Sequence, residues 1–99
     1  MNDPTYIEAS RKLAEHVLLA EKDDAARWAR AFHIVVAREP EADEIAALQS
    51  VKAAAKDHFQ KTPGAAAELL KVGRAPADAS IPAEELASWS TAMSVLMNL

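Results

Sequence analysis

Three histidines are the first residues in this chain whose type suits chemistry: His16, His33 and His58. Neutral imidazole is a common metal ligand and general base. None of the three has a second His or a carboxylate at the spacing of an H-x-x-x-H or E-x-x-H pair. Glu15 beside His16, and Asp57 beside His58, are sequence neighbours and so point in different directions on a helix. Each His flanks an apolar stripe, which predicts half-buried boundary side chains. The serines Ser10, Ser50, Ser80, Ser88, Ser90 and Ser94 lack a nucleophile elbow, and no Ser-x-x-Lys pair occurs. Glu39, Glu41, Asp43 and Glu44 are the densest carboxylates but lack the spacing of a calcium loop. They read as charge complementing a helix dipole. The only glycines are Gly64 and Gly73, so no glycine-rich loop can cradle a phosphate. Arg27, Arg30 and Arg38 make the one local positive stripe. It reads as a solvated face pairing with Asp23, Asp24 and the acidic turn at 41–44. Within it, Arg38 ends one helix and Glu44 lies in the first turns of the next, so the two are expected to clamp that corner. No catalytic, cofactor-binding or metal residue is assigned.

The elements that carry these residues are helices. Twenty-three alanines against two glycines and five aromatics is a helix-former's composition. Asp3-Pro4 has an N-cap followed by Pro at the first helical position. Ser10, Leu13, Ala14, Val17 and Leu18 then recur at helical spacing. Glu21 to Asp24 interrupts the stripe, and Asp23 or Asp24 can cap a second helix carrying Trp28, Phe32, Val35 and Val36. One bent helix over 4–38 is the alternative to two. Glu39-Pro40 ends the segment, since the residue before a proline avoids the α region. Ile45, Leu48, Val51, Ala55 and Phe59 carry a third helix. Thr62-Pro63 restarts a short fourth, with Gly73 at its C′ position. Residues 74–82 read as a loop, and Pro82 opens a fifth helix. The expected fold is all-α, one domain over 1–99 in a small bundle of four or five helices at about 4–21, 24–38, 41–61, 63–72 and 82–98.

Composition excludes several function classes. A formal charge of −4, with no basic stretch, argues against binding nucleic acid. Without cysteine there are no disulfides, thiolate zinc sites or covalent haem attachment. No apolar run approaches the ~20 residues that span a bilayer. No cofactor is expected. Trp28, Phe32, Phe59 and Trp89 read as core where helices cross. The fifth helix, however, carries its apolar face to Asn98-Leu99 without a cap. Trp89, Met93, Leu96 and Met97 are therefore the candidate interface, on a chain that reads as a piece of a longer protein.

Four segments, taken in order, resemble a known family. They are Asn2-Asp3-Pro4-Thr5-Tyr6 with Glu8-Ala9 and Leu13-Ala14; Arg30-Ala31-Phe32 with Arg38-Glu39-Pro40 and Glu44; Ala65 to Gly73 with Ala75-Pro76; and Glu85 to Trp89 with Leu96 to Leu99. Over nearly the whole chain they resemble the C-terminal part of the planctomycete PSD-one domain family, large exported proteins often carrying cytochrome c-like modules. Glu41 stands where that family usually has Thr, which weakens a capping box with Glu44. The acidic residue and Phe that usually follow the last motif are missing. The resemblance implies an exported or periplasmic location and supplies no catalytic or haem-binding residue. The expected function is a non-catalytic helical module that packs against other domains of its parent chain or a protein partner. The alternative is an accessory part of an enzymatic or electron-transfer site completed elsewhere in the parent.

Overall fold

The helices capped by Asp3 and Asp23 form as separate elements. In the computed structural model, which describes residues 3–99, α1 spans Pro4–Ala20 and α2 spans Asp24–Val36. Asn2 of the opening motif lies outside the described residues. The Asp3 carboxylate accepts the Thr5 and Tyr6 N–H groups at 2.8 and 3.4 Å, and Asp23 accepts that of Ala26 at 3.1 Å. Each cap satisfies donors that a helix start leaves free. The chain also has α3 (Ala42–Lys61), α4 (Ala65–Leu70) and α5 (Ala83–Leu96), and no strand among the described residues. It is a small all-α bundle.

Several helix ends differ from the sequence expectation by one or two residues, α5 closing at Leu96 instead of about 98, and three of the differences have a visible cause. α2 stops at Val36, two residues before Arg38, because Ala37 turns left-handed at φ 57°. Thr62 caps the C-terminus of α3 instead of opening α4. Gly64, at φ 85°, begins α4 after the turn closed by the Ala65 N–H on the Thr62 carbonyl. Gly73 lies beyond the C′ position, since α4 ends at Leu70 with Lys71 as C-cap. Its role is to leave space. A Cβ built there would lie 2.5–2.7 Å from Glu8 side-chain carbons.

The core is centred on α5. Six of the fifteen buried apolar residues belong to it, and it contacts each of the other four helices. A helix that is apolar nearly all round belongs inside a bundle. Ser88 and Ser90 are buried on it as well, and their hydroxyls donate to the Glu85 and Leu86 carbonyls of the same helix. Small side chains whose polar atoms are satisfied locally let neighbouring helices approach closely. Trp28 and Trp89 meet at 4.4 Å between ring centroids, tilted by 33°. This pair joins α2 to the central helix. The 12.5 Å radius of gyration matches the ~13 Å expected of a compact chain of about this length.

Candidate functional site

The charged residues sort first by what they hold. Arg38 donates to both oxygens of Glu44, at 2.8 and 2.6 Å, bridging the end of α2 and the start of α3. Glu44 also accepts the Glu41 N–H at 2.9 Å. The Arg38 and Glu41 hydrogen bonds bring the Glu44 carboxyl down to about 2. Arg27 and Arg30 fasten the preceding corner. Arg27 donates to the Glu21 and Leu18 carbonyls and to Asp24, while Arg30 takes the Glu21 carboxylate. The positive stripe is thus bound up in helix connections. Glu21, which takes Arg30, was not among the partners expected for it.

A second charged group escaped the sequence reading entirely. Arg11 is only 2% exposed. It reaches the Glu15 carboxylate at 2.9 Å and the Ala75 and Pro76 carbonyls at 2.6 and 3.2 Å, with Glu8 at 3.5 Å. Glu8 in turn accepts the Arg74 and Ala75 N–H groups, and Glu15 that of Asp78. The Ala75 and Arg74 hydrogen bonds hold the Glu8 carboxyl below its ordinary value. These bonds fasten the segment between α4 and α5 onto α1. The available signal was the Glu8–Arg11–Glu15 spacing, three and four residues apart, which puts the three side chains on one helix face.

Glu85 is the third centre. Burial pushes its carboxyl up, but hydrogen bonds from Lys56 at 3.0 Å and from the Trp89 indole at 2.9 Å outweigh it, so the group lies below the usual carboxylate range. Lys52 stands over the Trp89 ring at 5.1 Å. The cluster ties the start of α5 to the middle of α3.

The histidines do not meet. His16, His33 and His58 are all exposed, a correction to their expected half-burial. His33 faces Glu39 at 2.6 Å, and no group of three potential metal ligands occurs among the described residues. Three of the four candidate interface residues are corrected likewise. Trp89, Met93 and Leu96 are fully buried in the chain's own core, and Met97 is half-buried. The physical reason is the central position of α5, whose apolar side is already covered by its neighbours.

What α5 leaves outside is different. Val95 and Leu99 are 38% and 69% exposed. With Ala47, Leu48 and Val51 of α3 they line a groove of about 230 Å³, closed at one end by Asp43 and Glu44. A larger cleft of about 250 Å³ lies between α1, α4 and α5, beside Tyr6, Ser10, Ser90 and Ser94. Each of those four hydroxyls already donates to a helix carbonyl. The aliphatic groove has no such internal use, which makes it the candidate functional site. No helix among the described residues is long and apolar enough to cross a membrane.

Comparison with protein-family models finds no match. Searches of curated proteins and of solved structures find none either.

Proposed function

We propose that this chain is a helical interaction module whose α3–α5 groove receives another domain or a protein partner. The observation that carries the reading is that groove. Val95 and Leu99 extend aliphatic surface outward from buried Leu48. Open aliphatic surface rimmed by polar groups is surface that a partner would cover. The PSD-one resemblance supports the same view, as part of an exported multidomain protein. The accessory-site alternative gains no support from its histidines, which lie apart, or from its arginines, which are bonded to carboxylates and helix ends.

The test uses the neutral apolar dye Nile red with the wild-type chain and with Val95→Asp. Blue-shifted emission is expected with the wild-type chain, and loss of it with the variant. Val95 is exposed, so the variant should keep the wild-type melting curve. Absence of dye binding, or binding indifferent to Val95→Asp, would reject the groove.

A further inference from the structure

We infer that the occupant of the α3–α5 groove is a cationic amphipathic helix, presenting aliphatic side chains to the groove and a Lys or Arg to its acidic end. The inference rests on the proposed groove and deepens it by specifying the partner's chemistry.

Two features on the same surface support it. The first is shape. The α3 lining recurs at Glu44, Ala47, Leu48 and Val51, so the groove follows the helix axis, and its other wall is Val95 of α5 with Leu99 just beyond that helix. A trough along two packed helices suits a third helix with anchors three and four residues apart. The second feature is charge. Residues 38–44 carry Glu39, Glu41, Asp43 and Glu44 against Arg38 alone. Arg38 is occupied by Glu44, and Glu39 faces His33. Glu41 and Asp43 are exposed, with no cationic side chain paired to them among the described residues. Of the two carboxylates that line the groove, Glu44 is held by Arg38 and Asp43 has no cationic side-chain partner among the described residues, with exposed Glu41 two residues before it, so the rim sets carboxylates without a cationic partner beside aliphatic surface.

The same charges argue against other occupants. An anionic lipid surface would be repelled by Glu41 and Asp43. A second copy meeting the groove with its own groove would bring a second acidic rim. Its nearest cation along α3, Lys52, is turned to the Trp89 ring. A cationic helix meets both the apolar floor and the rim, and charge complementarity of this kind sets specificity and orientation.

Fluorescence anisotropy tests this with two short labelled peptides, helical and identical in their leucine face. One carries lysines at the end that would meet the rim, and the other carries glutamates there. The lysine peptide is expected to bind at least about tenfold more tightly, since like-charge contact is strongly unfavourable. That advantage should shrink with added salt and vanish in the Glu41→Gln/Asp43→Asn double variant. Val95→Asp should abolish binding of both, with its melting curve as the control for folding. Equal affinity for the two peptides would overturn the cationic partner while leaving the groove in place. Failure of both peptides on a chain that still binds Nile red at Val95 would overturn it too, again without touching the groove. Sedimentation showing a dimer that Val95→Asp dissociates would assign the groove to a second copy and overturn the inference. Lysine-peptide preference surviving the double variant would show that the rim is not its source, with the same consequence.

Discussion

Replacing Arg11 by Met removes a guanidinium while keeping an unbranched stem that can fill the same space. The side chain is 2% exposed, and its four oxygen partners come from Glu8, Glu15, Ala75 and Pro76. Without the cation, two carboxylates only 15% and 17% exposed are left near each other, and two carbonyls lose a donor. Removing one partner of a buried ion pair typically costs about 3–5 kcal/mol. The lower figure applies here, because Glu8 and Glu15 keep the N–H groups of Arg74, Ala75 and Asp78. At about 4–8 °C per kcal/mol for a domain of this size, the melting temperature should fall by about 12–24 °C. Thermal melts followed by circular dichroism measure that, and limited proteolysis reports whether residues 74–80 are released first. Arg38→Met removes the same group from the solvent-exposed pair with Glu44, where water screens the loss, and should lower melting far less. If the two variants melted together, or the 74–80 segment stayed protected in Arg11→Met, the burial argument would be refuted.

Four further outcomes are expected. Gly73→Ala should destabilise by about 1–3 kcal/mol, through positive-φ strain and collision with Glu8, and Gly64→Ala, where nothing lies within 4 Å, should cost less in the same denaturant titration. The Glu44 carboxyl should titrate near 2 by side-chain NMR. Its folded value is depressed, so its stabilising contribution is complete above the ordinary 4.5 and fades as pH falls toward 2. A midpoint near 4.5 would mean that the Arg38 bond is absent in solution. Removing residues 86–99 should leave the chain without cooperative melting, because it deletes the centre of the core. Trp89→Ala alone should cost about 3–5 kcal/mol by chemical denaturation.

The helices themselves were legible in the sequence because their signals are local. Asp3-Pro4, Asp23 and Glu39-Pro40 act within a turn of where they stand, and the apolar spacing needs nothing beyond its own helix. The divided α1 and α2, the all-α class and the Arg38–Glu44 pairing fall in this group, since Arg38 and Glu44 are only six residues apart. The start of α4 differs from the local signal. The left-handed turn at Gly64 displaced a start that Thr62-Pro63 would also have suited.

Tertiary structure alone decided which apolar face is covered and by what. Trp89, Met93 and Leu96 carry the same periodicity whether their helix lies at the surface or at the centre. Only the packing of all four other helices against α5 makes them core and moves the open aliphatic surface to Val95 and Leu99. The absence of any charged residue after Glu85 fits a central helix and an apolar interface equally well, so it did not decide between them. Arg11 is the sharper case. A lone arginine among helical positions is ordinarily solvated, and burial becomes tolerable only when carboxylates and carbonyls surround it. Two of those acceptors lie 64 and 65 residues away, so their arrival depends on how the chain returns over α1. Periodicity records what a helix can bury. The return path of the rest of the chain determines what it does bury.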